Sequence, residues 1–194
     1  MTQLKIAAVA GAAVGMAAVA SASVTPNTYE IRVSNVVSPS QPSTTVEVWA
    51  DWDSDLFYAF AAAEWNLLGD MTGDFSGPAS AFTDPGQDGG TPMDGNVMDI
   101  VTGQLQFPPG SLFADTSDPV LIWSATWSTT DFTARTVDLA TDTTRYSLYV
   151  DDTGLSSDVT TTVLEGAGAI EVIPAPASLA LLGLGGLAAT RRRR

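Results

Sequence analysis

Between residues 23 and 173 the apolar side chains follow a β pattern, with several runs of period two, and this feature restricts the fold more than any other. Tyr29, Ile31 and Val33 alternate with polar neighbours, as do Val46, Val48 and Ala50, and later Tyr146, Leu148 and Val150. Successive side chains of a strand point to opposite faces, so these runs read as strands with one face buried. Residues 120–127 form a continuous apolar and β-branched run, the pattern of a strand covered on both faces. Further strands are predicted around 97–107, 136–140, 159–164 and 169–172. Residues 56–68 carry conflicting signals: Ala59, Ala61, Ala62 and Ala63 favour helix, whereas Phe57, Tyr58, Phe60 and Trp65 favour strand. The neighbouring β-elements decide for strand.

Eight or nine short strands separated by Gly, Pro, Asp and Ser predict an all-β fold, an antiparallel two-sheet β-sandwich. The order of strands around Val46, Phe60 and Val120 resembles that of cohesin-like jelly-roll modules, which implies a jelly-roll or cohesin-like sandwich. About 150 residues are enough to bury a core, and the five Trp at 49, 52, 65, 123 and 127 are natural pieces of it. Trp49 and Trp52 are three positions apart and cannot share a strand face, so one of them is expected outside. Residues 70–98 hold six Gly, three Pro and five Asp with few apolar anchors, and are expected to form a long surface loop.

Charge is segregated along the chain. Lys5 and the group Arg191, Arg192, Arg193 and Arg194 lie at the ends. Arg32, Arg135 and Arg145 are the only bases between them, against 22 acids, so the middle carries a net charge of −19. A body this acidic repels phosphate backbones and excludes nucleic acid as a partner. With no Cys and no His, disulfides, thiol nucleophiles, Cys/His zinc sites and imidazole acid–base chemistry are excluded as well.

Both ends read as addresses. After Lys5, residues 6–20 are apolar or small, and Ala20-Ser21-Ala22 supplies the small residues a signal peptidase accepts, so cleavage is expected after Ala22, with Ala20 and Ser23 as the competing positions. Near the other end Pro174, Ala175 and Pro176 stop any strand, and residues 179–189 are wholly apolar or small before the four arginines. Eleven residues make about 17 Å of helix, too short to span alone; residues 174–190 number 17, the lower limit for spanning, which makes a marginal membrane anchor whose basic flank holds it on the cytoplasmic side.

Residues 173–185 followed by the arginine cluster resemble the PEP-CTERM protein-sorting signal of exported bacterial proteins. That resemblance implies a transient transmembrane helix, cutting near the Pro-Ala-Pro motif by a membrane-embedded exosortase, and transfer to the cell exterior. The sequence departs from the family at Ala175, where Glu is commonest. The expected organisation is a signal peptide over 1–22, a sandwich over 23–172 and a sorting segment over 173–194.

Chemistry-bearing motifs in the body are sparse. Asp51, Asp53 and Asp55 alternate, so on an extended strand their carboxylates would converge on one face and could hold Ca²⁺. An EF-hand is excluded, since Leu56 and Ala62 occupy the positions of its Gly and its bidentate Glu. Asp70, Asp74, Asp84, Asp88 and Asp94 are the other cation candidates, with Asp88 the foremost of them. Glu47 and Glu64 are the carboxylates best placed for a glycoside hydrolase pair. The glycines between 86 and 95 lack the Lys and the following helix of a phosphate loop. No catalytic constellation and no cofactor site emerge. The expectation is therefore an exported, exosortase-processed structural or interaction protein of the cell surface or extracellular matrix. Its partners would be signal peptidase and exosortase during export, then extracellular polysaccharide or other surface proteins, with the membrane engaged only through the C-terminal helix. A carbohydrate-binding module, a carboxylate-based hydrolase and a Ca²⁺-dependent adhesion module are the alternatives.

Overall fold

A computed structural model describes residues 26–104 and 115–174. The expected signal peptide, the sorting motif from Ala175 onward, its helix and the arginine tail all lie outside the described residues. Ten strands follow one another: β1 (Thr28–Val33), β2 (Ser43–Asp51), β3 (Ala59–Leu68), β4 (Asp74–Ser80) and β5 (Thr91–Met93), then β6 (Asn96–Gly103), β7 (Val120–Ser128), β8 (Arg135–Tyr149), β9 (Ser156–Asp158) and β10 (Ala167–Val172). One sheet has the order β1-β2-β7-β4, and the other β10-β8-β3-β6-β5 with β9 paired to β8. All pairings between named strands are antiparallel.

The alternation read from the sequence places the core. Val46, Val48 and Ala50 are buried from the first sheet, and Ala63, Trp65 and Leu67 from the second. Rings then run through the interior in an unbroken series: Phe82 stacks on Phe60, Phe60 meets Tyr146, Tyr146 meets Tyr29, Tyr29 meets Trp65, and Trp65 meets Trp123 beside Phe75. Their centroid separations of 5.2–6.3 Å are those of stacked, tilted and edge-to-face pairs, each adding to simple area burial. Trp52, Trp65, Trp123 and Trp127 are buried, and Trp49 is the tryptophan left on an outer face.

Several expectations need correction. Residues 70–98 are not a bare loop, because they contain β4, β5 and the start of β6. Both added strands lie at sheet edges, and the β4 register shifts between Ser76 and Ala79, where Gly77 and Pro78 sit. Edges and bulges are the places a sheet tolerates Pro. The two segments expected at 136–140 and 146–150 belong to one strand, β8, which ends at Tyr149 and leaves Val150 exposed beyond it. Residues 159–164 form turns rather than a strand, while the short β9 precedes them. The expected strand at 56–68 begins only at Ala59, after a turn closed by the amides of Leu56 and Phe57 donating to the Asp53 carbonyl.

The two sheets meet along a seam between β1 and β10. Parallel bridges join Thr28 to Leu164 and Val37 to Val172. Gly166 and Gly168 permit this approach: a Cβ on Gly168 would stand 2.7 Å from Ile31 Cγ2, and one on Gly166 2.8 Å from Tyr29 Cβ. Elsewhere Gln104, which is buried, ties the end of β6 to the approach to β7. Its amide donates to the carbonyls of Asp115 (2.8 Å) and Phe60 (3.3 Å) and accepts from the Asp115 amide (2.9 Å).

Candidate functional site

The alternation that buries Val46, Val48 and Ala50 turns Glu47, Trp49 and Asp51 to the outer face of the first sheet. The β1 register sets Glu30 beside Trp49 and Arg32 beside Glu47. Arg32 lies over the Trp49 ring at 4.2 Å, and the indole N–H donates to Glu47 at 3.1 Å. Arg32 also pairs with Glu30, whose carboxyl is held below its ordinary range chiefly by that hydrogen bond. The result is a half-exposed aromatic surface framed by three carboxylates and one guanidinium.

The same face ends in a carboxyl pair. Ala50 pairs with Val120, so Asp51 at the end of β2 lies next to Asp118 ahead of β7. Asp118 accepts from the Trp52 amide at 3.2 Å. Burial raises the Asp118 carboxyl, the negative charge of Asp51 adds to the rise, and the Trp52 amide opposes both. Asp118 therefore holds its proton more tightly than a free aspartate does.

The predicted cation ligands are not brought together. β2 ends at Asp51, and the chain then turns, so Asp51, Asp53 and Asp55 do not share a strand face. Asp53 instead caps that turn, its Oδ1 accepting from the Asp55 amide at 3.1 Å. Asp88 lies against β6, exchanging two 2.9 Å backbone hydrogen bonds with Val101, while its carboxylate accepts from the Gly90 amide. Among the described residues no three acidic side chains stand close enough to hold a metal ion. Glu47 and Glu64 lie on the outer faces of different sheets, with Glu64 paired to Arg145 at 3.4 Å, so they cannot flank one glycosidic bond.

Sequence reasoning missed Asp118, whose partner is 67 positions away and is set by strand register alone. A signal that was available and unused is Asp-x-Thr/Ser. In Asp70-x-Thr72, Asp115-x-Ser117, Asp131-x-Thr133, Asp151-x-Thr153 and Asp158-x-Thr160, one carboxylate oxygen accepts from both the amide and the hydroxyl two residues on. These are Asx-type turns that close loops between strands.

In fold the chain is similar to cohesin modules. A cohesin module from a family 33 glycoside hydrolase of Clostridium perfringens ATCC13124 superposes with a TM-score of 0.50 at 10% identity, over 78% of this chain and 100% of the module. The seventh ScaB type I cohesin from Pseudobacteroides cellulosolvens gives a TM-score of 0.50 at 9% identity, over 76% and 93% respectively. At these identities the likeness is one of fold alone. No family profile and no curated protein matches the sequence.

Proposed function

We propose that the chain is an exported protein whose sandwich serves as a non-catalytic structural or interaction module at the cell surface or in the extracellular matrix. The cohesin-like fold supports the module, and the two terminal segments support export. One observation carries the processing claim. β10 ends at Val172, and the Ile173 amide closes the seam on the Val37 carbonyl at 2.9 Å, immediately before the Pro-Ala-Pro motif. A cut within or after that motif therefore leaves every described strand intact. Intact-mass measurement of the native surface-derived protein is expected to find neither residues 1–22 nor Arg191–Arg194; retention of the arginines overturns the processing.

A second reading, carbohydrate binding, is favoured by Trp49, the one tryptophan on an outer face and flanked there by carboxylate acceptors. A glycan array probed with the wild-type protein and Trp49→Ala decides it: binding lost in the variant supports this reading, and no binding by either removes it.

A further inference from the structure

A groove of about 410 Å³ opens beside the turn between β2 and β3, lined by Pro26, Leu56, Phe57 and Val159, with Asp53 and Thr162 among its polar members. Backbone hydrogen bonds build both of its walls. On one side the amides of Leu56 and Phe57 donate to the Asp53 carbonyl, each at 3.0 Å, and the Asp55 amide donates to the Asp53 carboxylate at 3.1 Å. On the other the Val159 amide donates to the Tyr146 carbonyl at 2.8 Å, and the Thr162 amide to the Val159 carbonyl at 2.9 Å. Leu56 is thus displayed by a closed turn, with 59% of its surface exposed. Phe57 and Val159 are half-buried and packed against the core. The Thr162 hydroxyl is already spent on the Val159 carbonyl at 2.9 Å. Asp53 is the charged member of the lining, and no described base pairs with it, since the three arginines engage Glu30, Asp131 and Glu64.

We propose that this groove seats a segment of another polypeptide in which an aliphatic side chain stands next to a lysine or arginine. The proposal rests on the interaction reading above and deepens it by naming the class of partner. Charge complementarity selects that class. Asp55 in the first turn and Asp158, next to Val159 in the second, repeat the sign of Asp53, and the middle of the chain carries −19. Any partner must therefore bring the positive charge itself. An anionic lipid surface or an acidic polysaccharide is repelled. A neutral sugar finds no open aromatic face in this lining, because its one ring, Phe57, is packed against the core. An aliphatic side chain, by contrast, leaves water against Leu56, Phe57 and Val159. The basic neighbour lays its stem along the same apolar wall and sets its charged head on the Asp53 carboxylate. The volume is near the lower end for ligand pockets, which suits a short segment. Because both walls are already closed by hydrogen bonds, little ordering cost falls on this side of the complex.

Fluorescence anisotropy with three labelled hexapeptides tests this on the full chain: one alternating Lys with Leu, one Lys with Ser, and one Glu with Leu. The Lys/Leu peptide is expected to bind about tenfold more tightly than either of the others. Leu56→Ser, at an exposed position, is expected to weaken it about tenfold. Asp53→Asn keeps the oxygen that caps the turn, and should weaken binding about threefold while flattening its dependence on salt. Melting temperatures of the two variants confirm that each still folds. Equal binding of the Lys/Ser peptide, untouched by Leu56→Ser, reduces the effect to diffuse charge and overturns the groove. Equal binding of the Glu/Leu peptide overturns the charge complementarity, and binding by none of the three overturns the proposal outright. Self-association of the chain that Leu56→Ser abolishes gives the groove to a second copy and overturns it as well. These outcomes judge the groove alone, because intact mass and the glycan array judge export and the Trp49 face separately.

Discussion

At the residue scale the aspartates of this protein do opposite things. Hydrogen bonds from Thr133, Thr153 and Thr160 hold the carboxyls of Asp131, Asp151 and Asp158 below their ordinary range. A folded pKa below the unfolded one contributes stability that is present above the unfolded value and is lost as pH falls. Asp118 has the reverse sign, because burial and Asp51 raise its pKa in the folded state. Its contribution favours the fold below the unfolded pKa and is lost as pH rises through the folded one. Asp118→Asn keeps an oxygen for the Trp52 amide and removes the repulsion. It is expected to raise the melting temperature at pH 7, by no more than about 2–4 °C since the group is largely solvent-screened. At pH 3, where the wild-type carboxyl is protonated, the gain should vanish. Thermal unfolding of both proteins at the two pH values checks this, and a lower melting temperature for the variant at pH 7 refutes it.

At the element scale the seam between β1 and β10 is the joint that makes two sheets into one body. Gly168 faces Ile31 so closely that a methyl group would enter the side chain and force β10 outward. Gly168→Ala should therefore cost about 1–3 kcal/mol of overpacking strain, a fall in melting temperature of about 2–4 °C for each kcal/mol. An unchanged melting temperature would mean that the seam yields freely. β1 and β2 were legible because one face of each is buried, as the alternations at 29–33 and 46–50 foretold; the alternation at 146–150 holds only in part, since residues 146–149 are all buried and Val150 lies exposed beyond β8. Residues 70–98 were misread because β4 and β5 are edge strands, which carry Gly and Pro without a buried alternation to announce them. The triad of Asp51, Asp53 and Asp55 failed for a related reason, since periodicity gives direction only while the strand lasts and β2 stops at Asp51. Contacts fixed by register, such as Asp51 with Asp118 or Gly168 with Ile31, leave no trace in local pattern.

At the scale of the whole molecule, charge is the dominant fact. The middle of the chain carries −19, and the three arginines among the described residues are already engaged in ion pairs with neighbouring acids. The acids far outnumber these three bases, so folding concentrates like charge and self-repulsion works against the compact state. Added NaCl shortens the Debye length from about 30 Å at 0.01 M to about 10 Å at 0.1 M, which weakens this repulsion. The melting temperature of the exported protein should rise over that range. A specific cation site would add stability beyond screening, since an ion bound only by the folded form contributes RT ln(1 + [L]/Kd). A cage of several carboxylate and carbonyl oxygens prefers Ca²⁺ to the smaller Mg²⁺, whereas a diffuse ion atmosphere hardly distinguishes them. Because Asp53 caps a turn and Asp88 lies against β6, with neither joined to a third acid, the diffuse response is expected. At matched ionic strength 1 mM Ca²⁺ and 1 mM Mg²⁺ should then give the same melting temperature. A rise specific to Ca²⁺ and abolished by Asp53→Ala or Asp88→Ala would instead locate a binding site at the residue replaced.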